Sequence, residues 1–123
     1  MKIFFHFLIA VLIVISSCKE ENKNDVVTPI HTASLQIIVF KNDTNNILKP
    51  LTDVSIFLYL TDNDRTNNEN IKYMGTVNDS GKISFNKLPN EYYYLLASHS
   101  TYGTKKLETA TPNNSISYEE IDF

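Results

Sequence analysis

The fold is decided by residues 77–95, which read VNDSGKISFNKLPNEYYYL. Asn78 can accept hydrogen bonds from nearby backbone N–H groups, and Gly81 can adopt a positive φ angle without steric penalty. Two apolar residues, Ile83 and Phe85, then alternate with polar ones, which is the period of a β-strand. The stretch therefore predicts a tight β-hairpin whose second strand faces the core through Ile83 and Phe85.

Three consecutive tyrosines open the next predicted strand, which covers residues 92–99. Successive side chains of a strand point to opposite faces of its sheet. If Tyr93 and Leu95 face the core, Tyr92 and Tyr94 face outward on the same surface. The sequence thus predicts a strand with one apolar inner face and one outer face that carries tyrosines.

The same alternation recurs along the chain from Ser34 onward. Residues 54–60 are apolar at both parities, which predicts a central strand that is covered on much of its second side. Residues 61–70 contain no aliphatic side chain and predict a long surface loop. The seven predicted strands cover residues 34–40, 54–60, 71–77, 83–88, 92–99, 104–109 and 116–123.

The apolar residues of the last predicted strand do not share one parity. Ile116 and Tyr118 fall on one face, whereas Ile121 and Phe123 fall on the other. An extra residue in a strand shifts the parity of everything after it. A β-bulge at residues 119–120 would therefore turn all four side chains toward the core, and we predict one there.

Seven short strands at this spacing predict an all-β fold, a seven-stranded antiparallel Greek-key sandwich that spans residues 34–123. Part of the stretch 77–95 also follows a known order of residues, namely Gly81, Ile83, Phe85, Leu88, Pro89, Tyr93 and Leu95. That order resembles the signature of the transthyretin-like sandwiches, which include carboxypeptidase regulatory-like domains and Cna B-type repeats. Val77-Asn78 and Glu91 stand where the signature usually has Thr-Asp and a second Gly. The resemblance implies the same Greek-key sandwich.

The N-terminus carries a targeting segment. Lys2 is followed by an apolar run over residues 3–15, which is too short to span a bilayer. The run ends in Ile15-Ser16-Ser17-Cys18, which resembles a bacterial lipobox. The resemblance implies that residues 1–17 are a signal peptide, a signal helix that is removed, and that Cys18 is lipidated and anchors the chain to a membrane. A plain secretory signal and an uncleaved anchor are the alternatives.

Residues 18–33 are predicted to be a flexible tether after the lipidated cysteine, because they are polar and contain Pro29. Lys19, Glu20 and Glu21 resemble the short acidic export signals of Bacteroidota lipoproteins. This resemblance implies an outer-membrane lipoprotein whose domain faces the cell exterior. A solvated linker without a signal is the alternative reading of these charges.

Composition excludes several functional classes. Removing residues 1–17 takes away one lysine, Lys2, and changes the net charge of −3 to −4, which gives no basic surface for nucleic acid. The three histidines lack metal-ligand spacing, and Cys18 is the one cysteine. No catalytic nucleophile motif or phosphate-binding loop is present either. We therefore predict a protein that is not an enzyme and that has no catalytic residues, metal site, cofactor or nucleic-acid partner.

The candidate binding residues are the outward aromatic side chains of two predicted strands: Tyr92, Tyr94, Tyr59 and Phe57. Exposed aromatic rings suit a protein partner or the faces of sugar rings. The alternative is that they simply cover the sheet by packing against one another across strands. The predicted function is a non-enzymatic lipoprotein whose sandwich serves as an interaction or accessory module, with glycan or small-ligand binding through the tyrosines as the alternative.

Overall fold

The computed structural model describes residues 32–123, which form two β-sheets packed face to face. The predicted all-β sandwich is confirmed, and the predictions for residues 1–31 lie outside the described part. None of the helical structure in residues 32–123 has the length and apolar character of a membrane-spanning helix. The elements described are β1 (Ala33–Asn42), β2 (Leu48–Pro50), β3 (Ser55–Tyr59), α1 (Asp62–Asn67), β4 (Tyr73–Thr76), β5 (Lys82–Leu88), β6 (Tyr92–His99), β7 (Gly103–Ala110) and β8 (Ile116–Asp122).

The first sheet, sheet A, is built around β1. Strands β5 and β2 pair one after the other along one edge of β1, and β8 pairs along its opposite edge. Sheet B has the order β4-β3-β6-β7. The described strand pairs are antiparallel except β1 and β8, which run parallel from Ser34 beside Ile116 to Phe40 beside Asp122. The short strand β2 adds an eighth strand to the seven that the sequence predicts.

The turn before β5 is as tight as predicted, but it does not close a hairpin. The Gly81 N–H donates to the Asn78 carbonyl at 2.8 Å, and the Asn78 N–H donates to the Lys82 carbonyl at 2.8 Å. Strand β4 nevertheless pairs with β3 in sheet B, whereas β5 pairs with β1 in sheet A. The hairpin prediction is therefore wrong, because this turn carries the chain from one sheet to the other.

The core lies between the two sheets and follows the predicted alternation closely. The inward side chains of β1, β3 and β6 are fully buried, whereas their neighbours in the chain are mostly half-buried on the outer faces. Burying each aliphatic side chain of this size stabilises the fold by about 1.5–3 kcal/mol. The largest fully buried residues of the cluster between the sheets are Tyr93, Leu35, Ile37, Ile56, Leu58, Leu88, Leu95 and Ile121.

Strand β8 has no bulge. Its parallel register with β1 runs without interruption from residue 116 to residue 122. Ile121 is buried and Phe123 packs partly against the core, but Ile116 and Tyr118 are exposed on the outer face. The predicted bulge at residues 119–120 is therefore wrong, because the strand leaves two large side chains in solvent instead of turning them inward.

Residues 61–70 are not simply a loop, because they contain the helix α1. Thr61 caps its N-terminus, with Oγ1 accepting from the Asp64 N–H at 3.0 Å, and Asn68 ends it in the left-handed conformation. The helix contacts β3 and β6 on the outer face of sheet B. Arg65, the one arginine of the chain, is only 8% exposed at this contact.

Candidate functional site

The outer surface of sheet B carries the candidate site. We define the tyrosine face as the two outward rings Tyr92 and Tyr94 together with Glu108 and Arg65, which contact them. Tyr92 is 42% exposed and Tyr94 is half-buried, whereas Tyr93 between them is fully buried. The predicted parity of this strand, with Tyr92 and Tyr94 outward, is confirmed.

The two rings of the tyrosine face are held in fixed positions. Their centroids are 5.4 Å apart with an interplanar angle of 71°, an edge-to-face arrangement that favours the quadrupoles of both rings. The Tyr92 hydroxyl donates to Glu108 Oε2 on the neighbouring strand β7 at 2.6 Å. Because ring and hydroxyl are both restrained, a ligand that stacks on Tyr92 meets a surface with little rotational freedom left to lose.

Arg65 joins the helix α1 to this face. Its Nη1 donates to the Leu107 carbonyl at 2.7 Å, and its guanidinium carbon lies 5.3 Å from the centroid of the Tyr94 ring. Nε and Nη2 both donate to Asp62 Oδ1, and Nη2 is 4.0 Å from Glu108 Oε1. The face thus sets two aromatic rings beside two carboxylates that are largely in solvent, with the arginine charge buried beneath.

The two other predicted binding residues lie on β3, where Tyr59 is the register partner of Tyr94, but neither presents an exposed ring. Tyr59 is fully buried, and its hydroxyl donates to Asn68 Oδ1 at 2.7 Å, because α1 and its C-cap cover the outer side of β3. The prediction that Tyr59 is exposed is therefore wrong. Phe57 points outward but is half-buried, beside Leu96 and the exposed Met74 in the next row of the sheet.

Reasoning from the sequence misses the charged residues of the site. It places Arg65 and Asp62 in a surface loop and does not single out Glu108. The signal that marks α1 is Thr61 followed three residues later by Asp64, which is the spacing of a helix N-cap and an acidic first turn. That signal would place Arg65 on a helix, although not in contact with Tyr94.

The remaining predicted site residues belong to the segment that directly follows residue 17. Cys18, Lys19, Glu20 and Glu21 lie outside the described residues. His99 lies at the far end of β6, where its Nδ1 accepts from the backbone N–H groups of Thr101 and Tyr102. Within residues 32–123, no group of three or more His, Cys, Asp or Glu side chains is placed to hold a metal ion.

Arg65→Ala is expected to lower the free energy of unfolding by about 2 kcal/mol, since hydrogen bonds from a charged donor contribute about 1.5–3 kcal/mol each. It should also expose the Tyr59 ring, because α1 loses its anchor on β7. Urea denaturation and tyrosine fluorescence quenching measure the two effects. Thr66→Ala, at an exposed position of the same helix, is the control and should cost well under 1 kcal/mol. A loss for Arg65→Ala no larger than the control would contradict this role.

The hydrogen bond to Glu108 predicts an unusual titration of Tyr92. That bond, together with desolvation and the Glu108 charge, raises the pKa of Tyr92 from 10.0 to about 12. A raised pKa means that the folded state favours the protonated phenol. The resulting contribution to the stability of the fold is complete below about pH 10 and is lost as the pH rises through 12. Glu108→Gln should bring the pKa of Tyr92 back toward its ordinary value. Absorbance of the phenolate, with Tyr92→Phe to assign the signal, checks this; an unchanged titration curve would refute the bond.

Comparison with known proteins shows the fold. No protein-family model matches the sequence, and no curated protein sequence matches it. A candidate carbohydrate-binding protein from Pseudomonas aeruginosa matches with a TM-score of 0.55 and 10% identity, over 76% of this chain and 90% of that one. The Bacillus anthracis TIE protein matches with a TM-score of 0.50 and 16% identity, over 75% of this chain and 16% of that one.

A third solved structure is more distant. The shaft pilin SpaA from Lactobacillus rhamnosus GG matches with a TM-score of 0.46 and 17% identity, over 75% of this chain and 49% of that one. The chain therefore spans about half of this pilin and a much smaller part of the TIE protein. At these identities the first two matches show a shared β-sandwich fold and nothing further.

Proposed function

We propose that the protein is a non-enzymatic lipoprotein of the outer membrane whose β-sandwich is an interaction module that binds through the tyrosine face. The observation that carries this proposal is the fixed pair of rings, the exposed Tyr92 and the half-buried Tyr94, beside the Glu108 carboxylate. Aromatic side chains offer a large contact area for few lost rotamers, and tyrosine is enriched in the buried centre of interfaces.

A protein partner would cover more of the outer face of sheet B than a sugar would. The outer face of sheet B continues from Tyr94 to Phe57, Leu96 and Met74 in the next row, and Met74 is exposed. An apolar area that extends over several strands is larger than a single sugar ring covers. A folded or extended polypeptide can bury it, and the polar groups around Tyr92 would form the rim.

The test is a binding measurement with a matched tyrosine control. The chain from residue 18 with Cys18→Ser retains every described residue and is offered to solubilised outer-membrane proteins from the producing cells. Tyr92→Ala should weaken capture of the bound protein at least tenfold, the effect of losing a central aromatic anchor. Tyr102→Ala removes a ring that is similarly exposed, at 44%, at the opposite end of β6, and should have no effect. Equal effects of the two changes would show that the tyrosine face is not the binding surface.

Glycan binding is the second candidate, and the position of the carboxylates favours it. A sugar that stacks on the Tyr92 ring would place its hydroxyl groups within reach of Glu108 and Asp62, both of which can accept hydrogen bonds. The likeness to a candidate carbohydrate-binding protein agrees with this reading. A glycan array separates the two candidates, because Glu108→Gln should abolish sugar binding but leave most of a ring-mediated protein contact intact.

The membrane anchor is the second part of the proposal. The lipobox-like residues 15–18 support acylation of Cys18, and a lipid-bound protein with several acyl chains is held stably at a membrane. Cys18→Ala should release the protein from membranes while its cooperative thermal transition stays unchanged, since a continuous hydrophobic core joins residues from Ala33 to Ile121. Loss of that transition would show that anchor and fold are not independent.

Export to the cell exterior is the third part. Lys19, Glu20 and Glu21 directly follow the proposed anchor, and surface charges of this kind contribute little to stability, so a role in recognition by export machinery explains them better. Extracellular protease added to intact cells should remove the wild-type domain and spare the Glu20→Ala/Glu21→Ala variant. A wild-type domain that resists protease, or a variant that is cut equally, would leave the lipoprotein proposal standing without surface export.

A further inference from the structure

The outer face of sheet A is a second surface, distinct from the tyrosine face. Ile37 and Val39 of β1 are fully buried, so Ile38 and Phe40 point outward, where both are half-buried. Tyr118 of β8 stands beside them and is 65% exposed. Two adjoining hollows of about 280 and 260 Å³ share Ile38 as part of their floor and form a shallow apolar trough along β1.

Opposite charges flank this trough. In the register of sheet A, Ile38 lies between Lys82 of β5 on one side and Glu120 of β8 on the other. Two strand spacings, about 10 Å, separate the backbones of the two charged residues. No ion pair found within residues 32–123 involves either of them. Asp122, also on β8, extends the acidic side.

We propose that this face binds a second copy of the chain around a two-fold axis parallel to β1. Rotation about this axis leaves the position of each residue along β1 unchanged. It exchanges the Lys82 side of the trough with the Glu120 side. Lys82 of each copy then faces Glu120 of the other, and Ile38 meets Ile38 on the axis. A two-fold axis perpendicular to β1 in the same plane would set like charges against each other, so the charge pattern selects one symmetric pairing.

The area of the outer face of sheet A determines how tightly two copies of the chain are expected to associate. Three strands by about seven residues cover on the order of 300 Å², which is well below the roughly 800 Å² per partner of stable complexes. We therefore expect a weak dimer, with a Kd on the order of 100 μM in dilute solution. Copies tethered to the same membrane, as proposed above, would meet at a higher effective concentration.

The decisive experiment exchanges the two charges. Sedimentation velocity is measured on the chain from residue 18 with Cys18→Ser, and every variant is first checked for a cooperative thermal transition. Lys82→Glu and Glu120→Lys should each weaken self-association at least tenfold, because each change sets two like charges against each other across the interface. Lys106→Glu, on the outer face of sheet B, makes the same charge change as Lys82→Glu and should have no effect.

An equimolar mixture of the two variants should restore the association. In the mixed dimer, the glutamate introduced in one copy faces the lysine introduced in the other. The unchanged Glu120 of the first copy faces the unchanged Lys82 of the second, so both contacts join opposite charges.

Cross-linking tests the axis itself. Sheets packed face to face lie about 10 Å apart, too far for a disulfide. Ile38→Cys should therefore be joined between copies by a short bismaleimide cross-linker, whereas Leu96→Cys, outward on sheet B, should not. The proposal is overturned if the wild-type chain stays monomeric up to about 1 mM, if the mixture associates no better than its components, or if Lys106→Glu weakens the dimer equally. Because Tyr92→Ala lies on the other sheet and should leave self-association intact, failure of this dimer and failure of the proposed binding function are distinguishable.

Discussion

Gly81→Ala should lower the free energy of unfolding by about 3–4 kcal/mol, a large share of the roughly 5–15 kcal/mol available to a domain of this size. Gly81 has a φ angle of +70°, and a Cβ at this position would overlap the Val39 carbonyl oxygen. The overlap is with backbone that cannot rotate away. The change should therefore push the turn off β1 and break the bond in which the Val39 N–H donates to the Gly81 carbonyl at 2.7 Å.

Gly103→Ala is the matched control for this prediction. Gly103 also has a positive φ angle, +83°, but no atom lies within 4 Å of the position where its Cβ would be. Gly103→Ala should therefore lower the free energy of unfolding only by the cost of holding an alanine in the left-handed conformation, about 1–2 kcal/mol. Urea denaturation of both variants measures the difference. Equal losses would mean that the turn does not press against β1.

Tyr93→Ala is expected to cost about 3–5 kcal/mol, the usual loss for an aromatic ring removed from a core. Tyr93 is fully buried and packs edge-to-face against Tyr73, with ring centroids 6.1 Å apart. Tyr92→Ala, one position earlier, removes the same side chain from the outer face and should cost about 1 kcal/mol or less. Thermal unfolding of the two variants compares them directly, and similar losses would contradict the assigned orientation of β6.

Alternation along the strands could be predicted from the sequence because one face of each strand must leave water. Leu35, Ile37 and Val39 in β1, and Tyr93 with Leu95 in β6, are all fully buried as their parity predicts. These assignments rest on local periodicity and on apolar burial, and both are encoded residue by residue. The class of fold follows from the same information.

Strand pairing could not be predicted, because local residues do not determine it. The turn from Asn78 to Gly81 makes the same hydrogen bonds whether its two arms pair or enter different sheets. What separates β4 from β5 is their pairing with β3 and β1, which are distant in sequence. The direction of β8 is likewise determined by a strand that is distant in sequence. Strand β8 pairs with β1 in parallel, and this pairing leaves Tyr118 exposed on the outer face.

The candidate site could be predicted only in part. The outward position of Tyr92 and Tyr94 follows from parity, but the burial of Tyr59 depends on α1, a helix of six residues. A segment this short gives no helical periodicity in an apolar pattern, and its contacts come from the polar Arg65 and Asn68. The charged part of the tyrosine face therefore depends on tertiary contacts that composition does not reveal.

The most direct test of the proposed function is fluorine NMR of the chain labelled with 3-fluorotyrosine. All seven tyrosines lie in the described part, so their signals report on the tyrosine face, the outer face of sheet A, the far end of β6 and the core. Titration with solubilised outer-membrane proteins, and separately with polysaccharide from the same cells, should shift or broaden the signals of Tyr92 and Tyr94 and leave that of Tyr102 unchanged. If neither fraction perturbs Tyr92 and Tyr94, or if binding moves only Tyr102 or Tyr118, the tyrosine face is not the binding surface.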